Sequence, residues 1–228
     1  MPENLEYLNN QFEQMENAFI DARAALAMRH PTWGAQDARL TMFNKCVNVT
    51  RSVHLGVVFM IHHLRKPGWW AENAKYGATK ATVQQACDEF NMFLRISFIQ
   101  GLFFAVESSF RLFVRALDPT ACSAGCDDFK NIYEWLLSRL NLQRHRPLLD
   151  LVRNVRNVMH NNGLFFPKSG VNATATYKGQ TYAFQIGKPN DFVTWRFILD
   201  LLPDIQVLLT DIVEASETVA VATIPEPT

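Results

Sequence analysis

The stretch Asp150–Gly163, DLVRNVRNVMHNNG, decides how this chain is read. Leu151, Val152, Val155, Val158 and Met159 recur at the spacing of an apolar helix flank. Arg153, Arg156 and His160 stand at i, i+3 and i+7, so a helix presents them on one side. Asn154 and Asn157 are placed beside them. Pro147 suits the first turn of a helix over about 146–161, and Gly163 suits the C′ position after His160-Asn161-Asn162. One polar stripe then carries two permanent cations, two amides and an imidazole near its C-terminal end. A phosphodiester-cleaving site needs such groups. Guanidinium forks match phosphate oxygens, and an imidazole moves a proton near neutral pH. The plainer reading of the same stripe is a solvated helix face.

Outward from this stretch the chain continues to read as helix. Leu5, Leu8, Phe12, Met15, Phe19 and Leu26 predict a helix over 3–29, closed at His30-Pro31. A second run, about 35–65, stops at Lys66-Pro67-Gly68 and is followed by Trp69 and Trp70 at a corner. A third, about 78–117, is apolar around much of its girth between 92 and 106, which predicts burial on several sides; Asp118-Pro119 closes it. A short helix is expected over 127–141, with Asp127 or Asp128 near its start. Residues 172–187, NATATYKGQTYAFQIG, alternate around Lys178-Gly179 and predict a hairpin. A last helical run, about 190–218, contains Pro203, which should bend or split it. The tail AVATIPEPT has no period and is expected to fray.

With 228 residues, 48% of them hydrophobic, the chain can bury a core without disulfides or metal. A formal net charge of +0 excludes a broad electrostatic pull on nucleic acid or an anionic membrane. Locally, however, Arg139, Arg144, Arg146, Arg153, Arg156 and Lys168 face Asp150 alone, a net of +5 between 139 and 168. That strip is where nucleic acid would bind, unless acidic groups elsewhere match it. Cys46 and Cys87 lie in apolar helical patterns and read as small core residues. Cys122 and Cys126 form a C-x3-C pair with no second ligand pair, so no metal and no cofactor is expected. The N-terminus is polar and acidic rather than a signal peptide. No uninterrupted apolar run reaches membrane length, so a cytoplasmic protein without a membrane partner is expected.

Four further features weigh less. Glu107 and Arg111 are spaced i, i+4; they form either an intrahelical ion pair or a buried contact in which Glu107 holds Arg153, and the reading leans slightly to the second. His62 and His63 point about 100° apart on a helix and read as helix-end residues rather than a chelate. Trp69 and Trp70 read as corner packing. His145, between Arg144 and Arg146, reads as a surface loop residue.

The order of features is the specific signal: an aromatic-rich helix containing ESSFR, a short helix, R-N-x5-H followed by N-N-G, a small hairpin and a closing helix. Over roughly residues 90–215 this resembles the HEPN domain, a helical nucleotide-binding and ribonuclease family of many prokaryotic toxins and defence systems. The family motif is an Arg, commonly a polar residue, and a His a few residues on. Arg153, Asn154 and His160 fit it, whereas Arg156 lies too close to His160 and is a supporting cation at most.

The resemblance implies an all-α bundle, a symmetric homodimer, and a composite site where Arg and His of both copies meet. Active members cleave RNA without metal, leaving a 2′,3′-cyclic phosphate and a 5′-OH. His160 would then move the proton, Arg153 would stabilise charge on the phosphate, and Asn154 would orient one or the other. Arg156, Asn157, Asn161 and Glu107 would be RNA-binding or supporting residues. A toxin, phage-defence or RNA-processing role follows, with an antitoxin or other protein as possible partner. The competing implication is a non-catalytic HEPN dimer that binds a nucleotide or a partner protein. A third, a chain modified by a nucleotidyltransferase, is weaker because the nearest tyrosine after His160 is Tyr177. The expected architecture is an HEPN-like bundle with a β-hairpin before the last helix. It would comprise N-terminal helices over 1–75, a core over 76–218 and a frayed tail over 219–228.

Overall fold

The computed structural model describes residues 4–74, 78–121, 128–161 and 163–226. They form helices α1 (Leu5–Arg29), α2 (Ala38–Phe59), α3 (Pro67–Asn73), α4 (Lys80–Leu117), α5 (Phe129–Arg139) and α6 (Arg146–His160). Strands β1 (Ala173–Tyr177) and β2 (Gln180–Phe184) follow, then α7 (Trp195–Glu214) and α8 (Ser216–Ala220). The protein is a mostly helical bundle with one small antiparallel sheet.

Local chemistry places the boundaries. Asn4, Asp37, Thr79, Asp128 and Thr194 cap α1, α2, α4, α5 and α7 by accepting backbone N–H groups of the first turns. Asp128, one of the two expected acids, is thus the cap of α5; Asp127, Cys122 and Cys126 lie outside the described residues. At its end α2 widens into a π-helical turn, Met60–Leu64, that carries His62 and His63. Trp70 Nε1 donates to Leu64 O at 2.6 Å and Trp69 meets Trp70 edge to face, so both tryptophans pack the corner. In the hairpin, Ala173 pairs with Phe184 and Tyr177 with Gln180. Lys178 (φ 48°) and Gly179 (φ 78°) both take positive φ, as a two-residue type I′ turn requires.

The long α4 is the axis of the core. It packs on α2 on one flank and on α5 and α6 on others. Two glycines set the α2–α4 approach: a Cβ on Gly56 would stand 2.5 Å from Leu94 Cδ2, and one on Gly101 would stand 3.1 Å from Val49 Cγ1. Phe12 of α1 meets Phe98 of α4 and Trp195 of α7 edge to face, each at 5.3 Å between ring centroids. The buried apolar residues form one cluster from Leu5 to Ile224, so α1 and α2 share one core with the rest. Burial pushes the Cys46 thiol up to about 12, which suits a packing residue rather than a nucleophile.

Two expectations are corrected. Pro203 neither splits nor ends α7, which is continuous from Trp195 to Glu214. Its ring lies on the exposed side, and Leu199, Leu202, Ile205 and Leu209 hold the two halves to the core. The tail as far as Glu226 does not fray. Ile224 is 1% exposed, its carbonyl accepts from Ala38 N, and Pro225 bridges to Asp37. A buried arginine explains this. Arg39 needs acceptors, and the carbonyls of Thr218, Val221 and Ala222 supply them. By length and composition alone α4 could also cross a membrane, although Arg95 and Glu107 interrupt its apolar run; one such helix is weak evidence, and the core helix of a bundle passes the same test. Here it is the central helix of the bundle.

Candidate functional site

The motif helix α6 begins at Arg146-Pro147, where proline costs no hydrogen bond. Leu148, Leu149, Leu151, Val155, Val158 and Met159 are buried and orient it. The strong segregation of these residues leaves Arg153, Arg156, Asn157 and His160 along the other side, as their spacing predicts. His160 is the last helical residue and is exposed. Arg156 is half-buried, with its guanidinium 5.0 Å from the Phe103 ring centroid and Nη1 3.4 Å from Asn157 Oδ1. Arg153 is half-buried too, and its Nε is enclosed without a hydrogen-bond partner.

Asn154 departs from the stripe. It is 4% exposed and lies among the core-facing residues of α6. Six residues at about 100° each put it roughly 120° around the helix from His160, so it does not orient that ring within one chain. Asn161 has a local structural role, since its Nδ2 donates to Asn157 O at 2.8 Å at the helix end. The helix closes with Gly163 N donating to Val158 O, and Gly163 takes φ +87°. With Asn161 as C-cap, this glycine stands one residue beyond the expected C′ position.

Glu107 is likewise corrected. Its Oε1 accepts from Arg111 Nε at 3.2 Å and Nη2 at 2.6 Å, so it forms the intrahelical pair rather than a clamp on Arg153. Proximity along one helix decides this outcome.

The basic strip is largely neutralised through the tertiary structure. Arg139 pairs with Glu217 at 2.5 Å and Arg144 with Asp211 at 2.6 Å, while Arg146 engages Glu134 and approaches Asp150. His145 is not a surface loop residue: it is 9% exposed, and its Nε2 lies 2.6 Å from Asp211 Oδ2, which pins the turn before α6 to α7. Among the described residues Arg153, Arg156 and Lys168 make no ion pair. The cations of the strip thus separate into structural ones with acids and a smaller set without.

Sequence reasoning missed two neighbours. Tyr133 of α5 is buried and donates its hydroxyl to Asp150 Oδ1, one helical turn before Arg153. Burial, and then that hydrogen bond, push its phenol above the ordinary range, so it stays a donor. Arg95 lies in α4 with an enclosed, unpartnered Nε. Its only signal in the sequence is a lone cation in the apolar run MFLRISF.

The fold and site define a helical bundle with an Arg/His stripe on one amphipathic helix. The chain matches no family model, no curated protein and no solved structure.

Proposed function

We propose that the chain is a metal-independent RNA endonuclease of HEPN type, with Arg153 and His160 in a composite site between two copies. The observation that carries this reading is the contrast along the basic strip. Three of its arginines are matched by acids, whereas Arg153 and Arg156 share the face of exposed His160 and have none among the described residues.

In this reading His160 takes the ribose 2′-OH proton as the oxygen attacks the adjacent phosphorus, and returns a proton to the departing 5′ oxygen. The products are a 2′,3′-cyclic phosphate and a 5′-OH. Arg153 offers its fork to the phosphate oxygens as negative charge develops. Within one chain the two residues are about 10 Å apart along the helix axis, which favours a site shared between copies. Arg156 and Asn157 contribute binding contacts. The setting is a toxin, defence or RNA-processing system in the cytoplasm, with a protein antitoxin as a possible partner.

The test is a labelled single-stranded RNA incubated in EDTA with wild type, His160→Ala and Arg153→Met. Wild type cuts and leaves cyclic-phosphate ends, both variants lose the activity while unfolding at the wild-type midpoint, and the matching DNA strand is untouched. Variants as active as wild type overturn the site. The burial of Asn154 supports the second reading, a non-catalytic dimer, because the polar residue of the motif faces the core. In that case no RNA is cut, expression slows host growth no more than His160→Ala does, and the chain still dimerises.

A further inference from the structure

We infer that the cleft beside the C-terminal end of α6 is a binding pocket for a small organic anion, with Arg95 as its anion receptor. The pocket lies off the Arg153–His160 stripe and stands whether or not the ribonuclease reading does. One wall is α4, with Met92, Arg95 and Ile96. Opposite are Met159 and Gly163 at the end of α6, and the segment 189–193 that follows the hairpin. The cleft is open to solvent on one side and holds about 250 Å³, a little below the volumes of pockets for drug-sized ligands.

The polar groups say what fits. Arg95 makes no ion pair or hydrogen bond among the described residues, and its Nε is enclosed without a partner. It stands in an apolar stretch of α4, between Leu94 and Ile96, where an unmatched charge is costly. The buried cation Arg39 is not left so: protein acceptors satisfy it fully. A planar guanidinium fork left open at the wall of a cleft matches a carboxylate or a phosphate monoester.

The other walls specify the body of the ligand. Met92, Ile96, Met159 and Val193 offer apolar surface, and the two thioethers adapt to a flat ring. Asp191 lines the same cleft without an ion pair to Arg95 and adds a negative charge to its rim, so the pocket suits a single anion on an apolar body rather than a polyanionic strand. Asn190, 9% exposed, is held by its Nδ2 donating to Lys188 O at 3.3 Å, and its carbonyl accepts from Val193 N, so this wall is pre-formed.

Calorimetric titration of the full chain with benzoate, phenyl phosphate, inorganic phosphate and benzyl alcohol tests this. Benzoate or phenyl phosphate should bind saturably. Arg95→Met should weaken that binding at least tenfold, Arg95→Lys should weaken it less, and Asp191→Asn should tighten it. Arg153→Met and His160→Ala should leave it unchanged, which separates this pocket from the proposed ribonuclease site. Benzyl alcohol binding as well as benzoate would rule out Arg95 as an anion receptor. Inorganic phosphate binding as tightly as phenyl phosphate would rule out recognition of an apolar body. Absence of binding by both aromatic anions, or affinity unchanged in both Arg95→Met and Asp191→Asn, overturns the proposal. Asp191 is exposed, so its variant keeps the test valid if Arg95→Met fails to fold.

Discussion

Arg39 and Arg153 are the same side chain put to opposite uses. Arg39 is 0% exposed and lies 4.0 Å over the Trp33 ring. Its Nε and Nη2 donate to the two carboxylate oxygens of Asp37 at 2.8 and 2.6 Å, and three backbone carbonyls of the C-terminal segment take its remaining donors. Arg153 sits half-buried on α6 with an enclosed Nε that donates to nothing, and it forms no ion pair among the described residues. The first arginine has used its hydrogen-bonding capacity on the fold. The second keeps one enclosed donor unused, which the proposed reading assigns to a phosphate.

The comparison breaks if the two regions respond alike, and the variants below rank by expected effect. His160→Ala should lower RNA cleavage by roughly 10²–10⁴-fold, the usual contribution of a positioned proton carrier, with no change in unfolding midpoint. Equal loss of stability and activity would make the stripe a structural face after all. Arg39→Met should destabilise by about 3–4 kcal/mol in denaturant unfolding, because it strands the Asp37 carboxylate inside the protein. The matching Arg153→Met should shift the same transition by less than about 1 kcal/mol. A cost for Arg153 as large as for Arg39 would sink the distinction.

A pH series sharpens the structural half. Burial raises the Asp37 pKa, but the hydrogen bonds from the Arg39 side chain and from the backbone of Arg39 and Ile224 outweigh it and hold the carboxyl below 3.8. A folded pKa below the unfolded one means stability present above 3.8 and lost as pH falls toward the folded value. Asp37→Asn should therefore flatten the acid limb of stability against pH, leaving a residual slope from Asp204, whose pKa is also lowered. An acid limb unchanged by Asp37→Asn would show that this pair does not drive acid unfolding. A small effect is also expected at Gly163→Ala, about 1 kcal/mol by thermal unfolding. A Cβ there meets nothing within 4 Å, so the cost is the strain of φ +87° alone.

What was readable in the chain sorts by the distance over which its cause acts. The bounds of α4 and α6 follow apolar spacing and the stops at Asp118-Pro119 and Gly163. The hairpin follows Lys178-Gly179, whose turn needs two positive φ angles. These causes lie within a few residues. The alignment of Arg153, Arg156 and His160 was readable for the same reason. Asn154 does not stand with them because spacing alone does not say how wide the buried flank of α6 is; packing against α4 and β1 draws that boundary.

The sequence alone determined the helices, their order, the hairpin and the shared face of the Arg/His stripe, since each rests on local periodicity, capping or turn geometry. Only the tertiary structure decided which cations are structural and which are free. Asp211 reaches His145 across 66 residues, and the carbonyl of Ala222 reaches Arg39 across 183. The tail that looked frayed is held because a buried guanidinium must find acceptors wherever the fold brings them. The enclosure of Arg95 arises in the same way, from α4, α6 and the segment after the hairpin meeting at one corner. Charge satisfaction is a property of distance in space, and distance in space is what a sequence does not carry.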